Sequence, residues 1–132
     1  MISNIRILLV EDCEDILFIM KTELEWMGYS VLLAKDARTA LNIVKTTLPD
    51  VIVSDIQMPG MDGFEFIRRV RSNPALAGIP AIALSGFGME KNVKEALDHG
   101  FSAHRTKPVE PSDLNDLIQE LVSPPKRRLA GA

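Results

Sequence analysis

The stretch Val51-Ile52-Val53-Ser54-Asp55-Ile56-Gln57-Met58-Pro59-Gly60-Met61-Asp62-Gly63 decides how the rest of the chain reads. A near-continuous apolar run, β-branched from Val51 to Val53, leads straight into Asp55, and Pro59, Gly60 and Gly63 then punctuate a loop. A short apolar run closed by turn residues predicts a strand buried on both faces. Open α/β proteins place their chemistry at the carboxyl ends of such strands. Asp55 stands in that place, so it is the residue a function has to explain.

The same reading extends outward. Upstream, residues 5–10 predict a first strand that ends on Glu11-Asp12. Residues 14–27 predict a helix with Ile16, Leu17, Ile19, Met20, Leu24 and Met27 on its inner side, Trp26 as an anchor and Gly28 as its stop. Residues 29–34 form the next strand. Asp36 is an expected N-cap for a helix that carries Ala37, Ala40, Leu41, Val44 and Leu48 inward as far as Pro49. Downstream, Asp62-Gly63-Phe64-Glu65 has capping-box spacing and opens a helix carrying Phe66, Ile67 and Val70, which ends before Asn73-Pro74. Residues 79–84 predict a strand delivering Ser85, with a loop at 86–88. Residues 89–99 predict a weak helix with Val93, Ala96 and Leu97 as its stripe and Gly100 as its stop. Residues 101–106 predict a strand delivering Lys107, followed by Pro108. Glu110 and Pro111 open a last helix that buries Leu114, Leu117, Ile118 and Leu121. Five βα units with short connections require a parallel sheet with helices on both faces.

Composition bounds the function. The 132 residues fit one domain, read as 1–122, with 123–132 as a flexible tail or linker whose Lys126-Arg127-Arg128 cluster is solvated. Hydrophobic content of 46% and charged content of 25% suit a globular chain that needs no disulfide or structural metal. A net charge of −3 argues against direct nucleic-acid binding, which needs a basic face. One cysteine, Cys13, cannot form an internal disulfide and suits a reducing cytoplasm. The N-terminus does not read as a signal peptide, and no apolar run reaches the ~20 residues of a membrane helix. A cytoplasmic location with no membrane contact is the expectation.

Four strand ends carry polar chemistry: Glu11 and Asp12, Asp55, Ser85, and Lys107. In a doubly wound sheet these ends share one edge. Three carboxylates packed together ionise comfortably only beside a compensating cation. Carboxylate oxygens without His or Cys suit Mg²⁺ or Mn²⁺. Lys107 adds a fixed ammonium and Ser85 a hydroxyl. Such a set would stabilise a phosphoryl group in transfer, with Asp55 as the nucleophile.

The motifs Leu-Val-Glu-Asp (9–12), Asp-Ile-Gln-Met-Pro-Gly-Met-Asp-Gly (55–63), Ala-Leu-Ser-Gly (83–86) and Lys-Pro (107–108) together resemble a CheY-like receiver domain of two-component response regulators, from about Arg6 to Leu121. The resemblance implies a flavodoxin-like (βα)5 sheet in the order 2-1-3-4-5. It implies Glu11, Asp12, Asp55 and the backbone carbonyl of Gln57 as Mg²⁺ ligands, and Asp55 as the phosphorylated residue. It further implies Ser85 as the switch hydroxyl, Lys107 as the partner of the phosphoryl group, and a cis Lys107-Pro108 bond. The implied phosphoryl donor is a sensor histidine kinase or a histidine phosphotransfer protein. The implied output surface is the fourth helix, fifth strand and fifth helix, and a homodimer could use the same face. Catalysis would be limited to self-phosphorylation and self-dephosphorylation.

One position departs from the pattern. The switch aromatic, usually Tyr or Phe, falls three residues before the lysine, and here it is His104. His104 either replaces that aromatic, with a titratable ring, or sits half-exposed on its strand. The pattern is similar to that of receivers at the C-terminal ends of hybrid sensor kinases. Gln57 and Phe87 occupy positions that influence phosphoryl lifetime in this family. Cys13 reads as a loop filler, His99 as a partner of its helix dipole, and Met58 and Met61 as packing residues. Three rival readings are an aspartyl phosphatase of the haloacid dehalogenase type, an FMN carrier and a phosphorylation-independent interaction module. The phosphatase normally needs an acid where Gln57 stands. In the FMN carrier, Glu11-Asp12 would repel the phosphate. The intact site argues against the interaction module.

Overall fold

A computed structural model describes residues 5–86 and 92–122. The chain runs β1 (Arg6–Val10), α1 (Glu14–Trp26), β2 (Ser30–Ala34), α2 (Ala37–Val44), β3 (Val51–Asp55), α3 (Gly63–Ser72), β4 (Ala81–Ser85), α4 (Asn92–His99), β5 (Ala103–Thr106) and α5 (Pro111–Val122). The five strands form one sheet in the order β2-β1-β3-β4-β5, and every pair is parallel. This is the flavodoxin-like order expected above. β3 begins at Val51 as expected, while β1, β2, β4 and β5 begin one or two residues later than the sequence suggests; the expectations for residues 87–91 and for the 123–132 tail lie outside the described residues.

Strand alternation splits the core in two. On one face Leu8, Val10, Ile52 and Ala83 pack with Ala40 and Val44 of α2, Phe66, Ile67 and Val70 of α3, and Ala96 of α4. On the other, Ile7, Leu9, Val53, Ile82 and Leu84 pack with Leu17, Met20 and Leu24 of α1 and Leu114, Leu117 and Ile118 of α5. β3 and β4 are buried along their whole length, as strands covered on both faces must be.

Helix starts follow their caps. The Asp36 carboxylate accepts from the Thr39 N–H at 2.7 Å, and that of Asp62 from the Glu65 N–H at 3.0 Å. The capping box is half made, because the Glu65 carboxylate pairs with Arg69 at 2.6 Å. The Glu110 carbonyl, ahead of Pro111, accepts from the Leu114 N–H at 3.0 Å.

Several expected inner residues face outward. Trp26 is 89% exposed and anchors nothing in the core. It lies two residues past Leu24, about 200° around the helix, so it points away from the Leu17–Met20–Leu24 stripe. Ile19 is exposed for the same reason, two residues from Leu17. Leu48 is exposed because α2 stops at Val44, where the N–H groups of Thr46 and Thr47 turn back onto the Ile43 carbonyl. Only Ala96 of the α4 stripe is buried, while Val93 and Leu97 are exposed.

Candidate functional site

The ends of β1, β3 and β5 are held by backbone hydrogen bonds to their neighbours. The Glu11 N–H donates to the Ala34 carbonyl at 3.1 Å, Ile56 N–H to Leu84 carbonyl at 2.9 Å, and Lys107 N–H to Ser85 carbonyl at 2.7 Å. The loop after Asp55 is closed by Gly63, whose N–H donates to the Ile56 carbonyl at 2.7 Å. A Cβ on Gly63 would stand 2.6 Å from the Asp55 carbonyl oxygen and 2.7 Å from the Ile56 Cα. The sequence reading treated Gly63 as punctuation. Its further role is this close approach, and the Asp-Gly pair at the start of a helix was the only local signal.

The topology brings Glu11, Asp12 and Asp55 together, with one carboxylate oxygen of each within 4.8 Å of the others. Glu11 and Asp55 are buried, whereas Asp12 is exposed. The Lys107 ammonium bridges the buried pair, donating to Asp55 Oδ2 at 3.1 Å and Glu11 Oε1 at 3.2 Å. Glu11 Oε2 accepts from the Cys13 backbone N–H at 3.1 Å, so the residue after the acidic pair orients Glu11 through its main chain.

Burial, and then the Glu11 charge, push the Asp55 carboxyl up to about 6 against the pull of Lys107. Burial alone would lower the Lys107 ammonium, but its bond and attraction to Asp55, with those to Glu11, hold it above its ordinary value. One ammonium, bonded to Glu11 and Asp55, stands among three carboxylates, so the group carries more negative than positive charge. All-oxygen donors with excess negative charge fit a hard divalent cation of the Mg²⁺ kind.

Ser85 is fully buried at the end of β4, and its Oγ lies 2.6 Å from His104 Nε2. His104 is 9% exposed, so it is not the half-exposed residue that one sequence reading allowed. Burial, and secondarily the Arg105 charge, lower its pKa, which favours the neutral imidazole.

The remaining residues take quieter places. Gln57 is exposed in the loop, Met58 is buried and Met61 packs against the core. Cys13 is exposed and precedes α1. His99 Nδ1 donates to the Glu95 carbonyl at 2.7 Å near the C-terminus of α4, and its ring stacks on Phe64 at 4.6 Å. Lys107-Pro108 is cis. Phe87 lies outside the described residues. Among the described residues no helix is long and apolar enough to cross a membrane.

Comparison with known proteins fits this arrangement. The family model described as the response regulator receiver domain matches residues 7–119. An uncharacterized 14.6 kDa protein of Leptolyngbya boryana is 40% identical over 94% of this chain and 96% of its own length. Response regulator PleD of Caulobacter vibrioides is 34% identical over 80% of this chain, which spans only 23% of that protein. The receiver domain of a sensor histidine kinase from Pseudomonas aeruginosa, solved with a magnesium ion coordinated in its active-site cleft, superposes with a TM-score of 0.84 at 26% identity, covering 92% of this chain and 99% of that one. With its sheet order, its acidic edge and this match over most of its length, the chain belongs to the CheY-like receiver domain family of two-component response regulators.

Proposed function

We propose that this receiver domain is a phospho-acceptor that takes a phosphoryl group from a phosphohistidine onto Asp55. The observation that carries this reading is the buried Asp55 carboxylate, grouped with Glu11 and Asp12 and bonded to Lys107. A carboxylate oxygen of Asp55 attacks phosphorus as the phosphorus–nitrogen bond of the donor breaks. The electron pair leaves with the imidazole nitrogen, which takes up a proton, and an acyl phosphate remains on Asp55. Lys107 keeps a fixed positive charge beside the reacting oxygens, and Ser85 offers a hydroxyl to a phosphoryl oxygen. Glu11, Asp12, Asp55 and the backbone carbonyl of Gln57 would hold Mg²⁺ or Mn²⁺, which when bound supplies the positive charge that phosphoryl transfer requires. Hydrolysis of the acyl phosphate by water returns the domain to rest, and no other substrate is turned over.

The donor is a sensor histidine kinase or a histidine phosphotransfer protein. A groove of about 440 Å³ runs beside Lys107, lined by Ile16, Ile19, Met20, Glu23, Gly86, Pro108 and Val109, and offers an apolar seat next to the site. The output face is α4, β5 and α5, where Val93 and Leu97 stand exposed. New charge on Asp55 biases that face through Ser85.

The test is intact mass after incubation with acetyl phosphate, with and without Mg²⁺. The expected result is a Mg²⁺-dependent gain of one phosphoryl group that Asp55→Asn lacks. A folded protein that binds Mg²⁺ but gains no mass from any donor overturns the reading in favour of a phosphorylation-independent interaction module.

A further inference from the structure

Ser85 and His104 form a buried polar pair beside the phospho-acceptor site. The register places Ala83 opposite His104, and Ser85 lies two residues beyond Ala83 on the same face. The two side chains are therefore diagonal neighbours on adjacent strands, which is how Oγ and Nε2 come within 2.6 Å. Among the described residues this is the only hydrogen bond of either side chain. No described buried side-chain polar atom lacks a partner.

The direction of the bond follows from the donors. A neutral imidazole carries one N–H, and a serine hydroxyl one O–H. If Nε2–H donated to Oγ, the Ser85 proton would be left without an acceptor in a fully buried place. If the hydroxyl donates to Nε2, every donor is served, because the proton then sits on Nδ1 at the side of the ring that is not sealed. Orphaned buried donors are the rarer and costlier case.

We propose that His104 is a positioning residue that holds the Ser85 hydroxyl proton in the resting protein, so that acyl phosphate formation exchanges His104 Nε2 for a phosphoryl oxygen as the acceptor of that proton. This rests on the phospho-acceptor reading above. The imidazole is thus a restraint on the switch, and it acts by hydrogen bonding. Removing it leaves the Ser85 donor unpaired only in the resting state, since the phosphoryl group still pairs it. The phosphoryl-bound state then gains in relative stability.

The experiment is calorimetric titration of the full chain, in Mg²⁺, with beryllofluoride as a tetrahedral phosphoryl mimic. His104→Phe is expected to bind it about tenfold more tightly than the wild type, the scale of one unpaired buried donor. In a Ser85→Ala background the same replacement is expected to change affinity less than twofold. In the wild type, the ¹⁵N resonance of His104 Nε2 shifts on binding, as the nitrogen loses its donor, and in Ser85→Ala it does not respond. Equal or weaker binding by a folded His104→Phe overturns the proposal, as does an equal gain in the Ser85→Ala background. If His104→Phe does not fold, the ¹⁵N response decides, and an unmoved wild-type resonance overturns the proposal. A wild-type protein that binds Mg²⁺ but no beryllofluoride overturns the phospho-acceptor reading itself, and the inference with it.

Discussion

The ends of β3 and β5 meet at the same site but are built differently. β3 is an interior strand, buried at all five positions and paired on both sides, and it carries Asp55. β5 is a four-residue edge strand with only His104 buried, yet it delivers Lys107. The centre of the sheet therefore holds the Asp55 carboxylate in a frame that cannot yield without loss of core packing. The edge supplies the counter-charge and one polar pair, and it lies beside α4, whose Val93 and Leu97 remain exposed. Chemistry needs fixed groups, whereas a response needs an element held by fewer contacts, and the two demands fall on different strands.

Removing the edge strand's charge is the strongest way to break this division. Lys107→Met leaves Glu11 and Asp55 buried without their cation, and is expected to cost about 3 kcal/mol of unfolding free energy in metal-free buffer at pH 7.5. Urea denaturation measures it, and added Mg²⁺ is expected to recover part of the loss, because an ion bound only by the folded state stabilises that state.

Gly63→Ala tests the rigid side. Its methyl group would overlap the Asp55 carbonyl, and we expect a loss of about 1–3 kcal/mol together with slower phosphoryl uptake. Unchanged stability would mean that the loop over β3 is softer than its contacts imply.

Asp55 itself gives a pH signature. Its folded pKa of about 6 lies above the ordinary 3.8, so the folded state holds a proton that the unfolded chain has released. The stabilisation from that proton is fully present below about pH 3.8 and is lost as pH rises through 6. In metal-free buffer, the gain in stability from Asp55→Asn is therefore expected to grow between pH 4 and pH 7, and paired thermal melts of the two proteins measure it.

The smallest effect belongs outside both regions. Trp26→Ser is expected to change stability by no more than about 0.5 kcal/mol, because that ring is 89% exposed and belongs to neither core cluster. A larger loss would show that the outer face of α1 contributes to the frame around Glu11.

Much of this was legible locally. Strand-forming runs, turn residues and caps are short-range signals, so the five βα units, the Asp36 and Asp62 caps and the polar strand ends could be read from the residues alone. Errors arose where an apolar residue's side depends on helix phase and end. Trp26 and Ile19 fell on the wrong face of α1, and Leu48 lay beyond the end of α2.

What the sequence by itself determined was the set of groups at the site and the strands that deliver them: Glu11, Asp12, Asp55, Ser85 and Lys107. Only the tertiary structure decided how they meet. The bridging of Glu11 and Asp55 by Lys107 joins positions 96 and 52 residues apart. The Ser85–His104 bond depends on the β4–β5 register, and a slip of one residue would turn His104 to the opposite face. Register and burial are properties of the packed sheet, so neither the partner of a hydroxyl nor the pKa of a carboxylate is written in the residues around it.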